Sequence, residues 1–144
     1  MHADTVALAA DHAGFELKDR LAQELRERGL EVLDLGTNAG SAVDYPDMAA
    51  RLAAAIGEGR APRGVLVCGT GIGISIAANR HRHVRAALCH DVTTATMARL
   101  HNDANVLALG ARVIGIAVAI DCQSASAFIA TGVDMVTFGI ASAP

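Results

Sequence analysis

Apolar residues along this chain fall into two alternating rhythms. Short, nearly unbroken runs at Thr5–Ala10, Glu31–Leu35, Gly64–Cys68, Arg85–Cys89 and Asn105–Leu109 have the length of buried strands. The third is uniformly apolar, as expected of a strand covered on both faces. Between the runs the period lengthens. From Gly14 to Arg28, Leu17, Leu21 and Leu25 recur every fourth position with charges between them, which predicts an amphipathic helix closed by Gly29 at its C′ position. Pro46 suits the first turn of a second helix, with Met48, Leu52 and Ile56 on one face and Gly57 and Gly59 as its stop. A third helix is expected from about Ile74 to Asn79, a fourth over Val92–Leu100 capped by Asp91, and a last one over Ile114–Ala130, apolar nearly all round. Strands alternating with helices across short loops predict an α/β fold: a single-domain three-layer α/β/α sandwich over residues 1–144, with a Rossmann-like parallel sheet of about five strands. Such sheets bind ligands beyond the carboxyl ends of their strands. That rule singles out Asp11-His12, Cys68 to Gly73, His90-Asp91 and the residues around Arg112.

Composition narrows the function classes. With 52% hydrophobic and 19% charged residues in 144, the chain is no disordered segment. The uncharged apolar stretch Val113–Ile120 stops at Asp121, far short of the ~20 residues a membrane span requires. The first residues, Met1-His2-Ala3-Asp4, do not start a secretory signal, so a cytoplasmic protein is expected. A net charge of −3 argues against a nucleic-acid partner. The basic run Arg80-His81-Arg82-His83-Val84-Arg85 has no aromatic residue for stacking on bases and reads as a solvated turn. The cysteines (Cys68, Cys89 and Cys122) are three in number and widely spaced, which suits a reducing compartment.

The sharpest local signal is Gly69-Thr70-Gly71-Ile72-Gly73 between a buried strand and a helix. Glycines there let backbone N–H groups approach an anion beside the positive end of a helix. No Gly-Lys-Ser/Thr follows, so this is not a Walker loop, and Ile74 stands where a dinucleotide fingerprint needs its third glycine. Cys68 immediately precedes the loop, where a thiolate is favoured and can act as a base; Cys89 and Cys122 read as inert small hydrophobes. His12 after Asp11 suits phosphate binding or proton transfer, and a capping Asp11 beside an incidental histidine fits the local sequence equally well. His101, ending the fourth helix, is compatible with a merely dipole-stabilised side chain. His81, His83 and His90 lie near Cys89 at ligand-like spacing without a second half of a site, so no metal is expected.

These residues carry a resemblance. Asp11-His12-Ala13-Gly14-Phe15-Glu16-Leu17-Lys18 is similar to the N-terminal signature of the type B ribose-5-phosphate isomerases, a family that also includes galactose- and allose-6-phosphate isomerases. Asp44-Tyr45-Pro46-Asp47, the block Cys68–Asn79, and His101-Asn102-Asp103-Ala104-Asn105-Val106-Leu107 through Gly110-Ala111-Arg112 resemble the following family blocks in order, over roughly the first 130 residues. The resemblance implies an aldose–ketose isomerase that needs no metal or other cofactor and works through a cis-enediolate. It implies Cys68 as the base; other members place a glutamate six residues on, where this chain has Ile74. Thr70, with loop amides such as those of Gly71 and Gly73, would stabilise the enediolate oxygen, and Gly69 belongs to the same cradle. His101 would open the furanose ring with help from Asp11; His12 and Arg112 would hold the phosphate; Tyr45 and Asn102 would line the pocket. The implied assembly is a homodimer or a dimer of dimers with shared sites, the segment of His101 and Arg112 coming from the partner.

One departure affects the substrate. Family members carry phosphate-binding arginines near the C-terminus, whereas here Thr131–Gly139 has none, and no Lys, Arg or His follows Arg112. Ribose 5-phosphate leads as substrate. The same chemistry on a tetrose phosphate, a hexose phosphate or a free sugar is the nearest alternative. A non-catalytic nucleotide-binding module is the other, for which Asp91, twenty residues after Gly71, is the best local support.

Overall fold

The computed structural model describes residues 5–126. Its elements run β1 (Thr5–Ala10), α1 (Phe15–Glu27), β2 (Glu31–Asp34), α2 (Tyr45–Gly57), β3 (Arg63–Cys68), α3 (Ile72–Ala78), β4 (Ala86–Leu88), α4 (Val92–Asn102), β5 (Val106–Gly110) and α5 (Ile116–Ala125). The five strands are all parallel, in the order β2-β1-β3-β5-β4. The sandwich expected from the alternation is therefore present, with β5 inserted between β3 and β4.

Period-two alternation in the central strands divides the core in two. Val6, Leu8, Val65, Val67, Leu107 and Leu109 face α1, α4 and α5, where they meet Leu21, Leu25, Ala95, Ala98, Ala119 and Cys122. The opposite side chains, Ala7, Ala9, Leu66, Cys68, Val106 and Ala108, face α2 and α3, against Met48, Ala49, Leu52, Ala53, Ile74 and Ala78. Small side chains on both partners let α2 lie close to this second face. Each fully buried leucine, such as Leu21 or Leu52, contributes about 1.5–3 kcal/mol through the water it no longer meets. At the sheet's β4 edge the Asn79 amide pairs with the backbone of Ala86 as a strand would. Its Nδ2 donates to Ala86 O at 2.9 Å and its Oδ1 accepts from Ala86 N at 2.7 Å.

Several boundaries move. The third helix begins at Ile72, two residues before its expected start, because Gly71 at φ +79° turns the chain straight into it. The fourth strand shrinks to Ala86–Leu88 and the fourth helix extends to Asn102. The last helix starts at Ile116, since residues 110–114 form a turn in which Val113 N and Ile114 N both donate to Gly110 O. Nor is it uniformly apolar in its setting: Gln123 is buried and Val118 half-exposed. Its expected continuation to Ala130 and the divergent segment 131–144 lie outside the described residues. No helix among the described residues is long and apolar enough to cross a membrane.

Candidate active site

The strand order places the carboxyl ends of β1 and β3 side by side. Asp11 follows β1 and is buried; its Oδ1 accepts from Ala13 N at 3.0 Å and Gly14 N at 3.1 Å. These bonds close the turn ahead of α1, whose N-cap is Gly14, so Asp11 does not cap the helix itself. It uses one carboxylate oxygen and leaves the other for a ligand. His12 is exposed beside it, with Nδ1 3.3 Å from the N–H of Val43 and 3.2 Å from its carbonyl oxygen. Whichever tautomer is present, Val43 fixes the ring and Nε2 is the nitrogen available to a ligand. Across the crevice Tyr45, 40% exposed, starts α2 and lays its ring on Gly73. A Cβ there would lie 2.6 Å from Tyr45 Cζ, so glycine lets the ring rest in this position and any side chain would push it aside.

Cys68 ends β3 and is nearly buried, and the N–H of Gly71 donates to its Sγ at 3.1 Å. The amide that the family resemblance assigns to an enediolate oxygen thus points at the base itself. Gly71 is obligatory on two counts. Its φ is +79°, and a Cβ would lie 2.9 Å from the backbone carbonyl carbon of Leu109. Thr70 is exposed, and its Oγ1 accepts from Ile72 N at 3.2 Å, so the hydroxyl proton is free to point at a ligand. Ile74, at the position where other members would have glutamate, is fully buried in the core. β5 closes the far wall: Ala111 N donates to Cys68 O and Arg112 N to Gly69 O, both at 2.9 Å. The Arg112 side chain crosses Gly69, where an added Cβ would sit 3.5 Å from its Cδ.

Asp11, His12, Tyr45, Cys68, the glycine loop and Arg112 therefore share one crevice. His101 and Asn102 do not. They end α4 immediately before β5, at the amino-terminal end of the sheet, because a helix in a parallel sheet runs back against its strands. Asn102 there lines a separate hollow with Asn79, Arg85 and Ala104. Arg112 and His101, expected together from a partner, are separated by the length of the sheet, and Arg112 lies against Gly69 of its own chain.

Other candidates resolve into structure. Asp91 caps α4: its Oδ1 accepts from Thr94 N at 2.7 Å, and the donors of Thr94 hold the carboxyl below the ordinary carboxylate range. That duty accounts for the residue read as a ribose ligand. His83 Nε2 lies 2.7 Å from Ala53 O, tying the basic turn to α2. Cys89 and Cys122 are buried in the core, and burial pushes both thiols up, Cys122 to about 11. At pH 8 iodoacetamide is therefore expected to alkylate Cys68 ahead of Cys89 and Cys122, with bound substrate slowing it. Peptide mapping by mass spectrometry checks this, and early labelling of Cys122 would contradict it.

Sequence reasoning missed two contributors. Val43 acts through its backbone, which no side-chain motif reveals. Lys18 sits inside the quoted N-terminal signature but is fully buried, which its place among the charges of an amphipathic helix does not suggest.

Comparisons with known proteins identify the family. A sequence profile described as Ribose/Galactose Isomerase matches residues 6–136. Ribose-5-phosphate isomerase B of Escherichia coli is 46% identical over 114 residues, covering 79% of this chain and 76% of that protein. D-erythrulose-4-phosphate isomerase of Pectobacterium atrosepticum is 47% identical over 112 residues, 77% and 74% of the two chains. Among solved structures, a ribose 5-phosphate isomerase from Thermotoga maritima superposes with a TM-score of 0.84 at 46% identity, covering 87% of this chain and 86% of that one. With the profile matching most of its length and relatives at 46–47% identity over three quarters of it, this chain belongs to the ribose/galactose isomerase family and is an isomerase.

Proposed function

We propose that the chain interconverts ribose 5-phosphate and ribulose 5-phosphate, with Cys68 as the base that moves the proton between C1 and C2. One observation carries this: Cys68 Sγ stands at the crevice with a backbone donor on it, while Ile74 is packed in the core. An α-hydroxy-carbonyl C–H is a weak acid, so the step needs a placed base and donors where charge develops. The Cys68 thiolate removes the C2 proton, and the electron pair moves through C1 onto the carbonyl oxygen. That oxygen takes up the proton given up by the C2 hydroxyl, and the thiol returns its proton to C1, leaving the ketose. The Thr70 hydroxyl and first-turn amides of α3, which lack helical partners, stabilise the intermediate. His12 and Arg112 hold the phosphate.

Ring opening requires His101, so we assign the complete site to two copies of the chain. Each contributes its own crevice, and the partner brings the end of α4. The exposed apolar side chains Ile72, Leu88, Val92 and Val113 support such an assembly. Leu88 ends β4 and the others follow β3, β4 and β5 at the carboxyl end of the sheet, around the crevice. The three free cysteines support a reducing, cytoplasmic setting.

A second reading keeps the chemistry and changes the sugar. Two observations favour it: the lack of basic residues after Arg112, and the D-erythrulose-4-phosphate isomerase among the relatives. Each missing arginine–phosphate contact is worth roughly 1.5–3 kcal/mol, so two forfeit on the order of 10²–10⁴ in affinity. A panel of ribose 5-phosphate, free ribose, erythrose 4-phosphate and allose 6-phosphate, read as ketose formed, tests both readings. Ribose 5-phosphate is expected to turn over with a high KM. Replacing residues 131–144 by an arginine-bearing family tail is expected to lower that KM at least about tenfold. Turnover of erythrose 4-phosphate with none of ribose 5-phosphate would transfer the assignment to the second reading.

A further inference from the structure

Lys18 is the largest fully buried side chain described in the protein, and it is a cation. It stands on α1, one turn after Gly14, whose carbonyl accepts the Lys18 N–H at 2.9 Å. The ammonium has three donors and three oxygens around it: Asp34 Oδ1 at 2.6 Å, Asn38 Oδ1 at 2.7 Å and Asp19 Oδ1 at 3.0 Å. A buried ammonium persists only when its charge is paired and its donors are used. Here both conditions are met by residues that flank the site.

Asp34 ends β2 and Asn38 lies in the loop from β2 to α2. The Asp34 oxygen that receives Lys18 also accepts from Gly36 N at 2.9 Å. Gly36 and Thr37 then pair with Ala10, the residue before Asp11: Ala10 N donates to Gly36 O at 2.8 Å, and Thr37 N to Ala10 O at 2.9 Å. Further along, Gly40 passes over the Phe15 ring, three residues before Lys18 on the same helix face. The loop is thus fastened to α1 at two neighbouring points. Beyond them it delivers Val43 to His12 and starts α2 at Tyr45. The base is held separately, by the contacts of Cys68 and Gly69 with Gly71, Ala111 and Arg112.

We propose that Lys18 is a positioning residue for substrate binding: its ammonium holds the β2–α2 loop where Val43 orients His12 and where Tyr45 enters the crevice. Because the loop reaches the binding side chains and not the base, loss of Lys18 acts on KM more than on kcat. The inference rests on the isomerase reading above. Its test therefore includes a measurement that needs no sugar.

Steady-state kinetics on ribose 5-phosphate are compared for the wild type, Lys18→Met and Asn38→Ala, together with hydrogen exchange of the Val43 amide. Lys18→Met is expected to raise KM at least about tenfold with kcat within about threefold. Asn38→Ala, on an exposed residue, removes one of the three contacts and is expected to raise KM about threefold. In both variants the Val43 amide exchanges faster than in the wild type. A lowered melting temperature with KM and Val43 exchange unchanged would make Lys18 merely structural and overturn the proposal; so would a fall in kcat at constant KM. Should Lys18→Met fail to fold, Asn38→Ala decides by the same readouts. If the wild type proves inactive on ribose 5-phosphate, the isomerase reading fails, and Val43 exchange in the two variants still decides whether Lys18 holds the loop.

Discussion

Cys68→Ala is expected to lower kcat for ribose 5-phosphate by about 10²–10⁴, the range for removing a placed general base. The position at which the family resemblance implies an alternative glutamate base is here a core isoleucine, Ile74. The substitution also strips the Gly71 N–H of its sulfur acceptor, so the loop must satisfy that donor with water or substrate. This cost falls on stability and not on the chemical step, and a melting curve measures it separately. KM is expected to change little, since the binding groups His12, Tyr45 and Arg112 hang from other segments. Cys68→Ser serves as a second probe: it keeps the shape, but a hydroxyl is far less ionised than a thiol near neutral pH, so it too should be slow. Cys89→Ala and Cys122→Ala should retain activity, both residues being sealed in the core. Near wild-type turnover by Cys68→Ala would end the assignment of the base.

The second large effect comes from mixing two inactive proteins. His101→Ala should be as crippled on a furanose-forming substrate as Cys68→Ala, for a different reason. If each site combines Cys68 of one subunit with His101 of its partner, a mixed dimer holds one doubly damaged site and one intact site. Random exchange of equal amounts makes half the dimers mixed, with one good site in two. Activity should climb from near zero to about a quarter of the wild-type level. The separation of α4's end from the β3 loop along the sheet motivates this result, because no motion within one compact domain closes that distance. Mixing after partial denaturation and refolding, followed by assay on ribose 5-phosphate, provides the measurement. Failure to recover activity, with subunit exchange verified by mass spectrometry, would exclude a shared site. On a four-carbon aldose phosphate, which cannot close the same ring, His101→Ala should stay active; equal loss on both substrates would give His101 another role.

Some parts of this molecule were legible from residues one at a time, and others were not. β1, β3 and β5 declare themselves because strands covered on both faces have no room for polar residues. The helix α1 shows its period, and the glycine loop is visible because Gly71 takes a backbone angle that a side chain resists. Strand order was hidden: nothing in the composition of β5 says that it pairs with β3 on one side and β4 on the other. The burial of Lys18 was hidden for a related reason. Its partners Asp34 and Asn38 belong to a different part of the chain, and only tertiary structure brings them to it. The placement of His101 was half legible, for a residue ending a helix must lie opposite the carboxyl ends of parallel strands once the sheet is granted.

The insertion of β5 between β3 and β4 also governs the order in which the nascent chain can become whole. Until residue 110 has been made, β3 carries an open edge and β4 has no neighbour to join, since both pair with β5. Most of the polypeptide is thus synthesised while the middle of its sheet is missing a strand. Unpaired edges beside apolar surface are where chains associate wrongly. A chain truncated after α4 would leave β3 with that edge unpaired. The segment Val106–Gly110, fully buried and placed late in the chain, is the closing stave that joins β3 to β4.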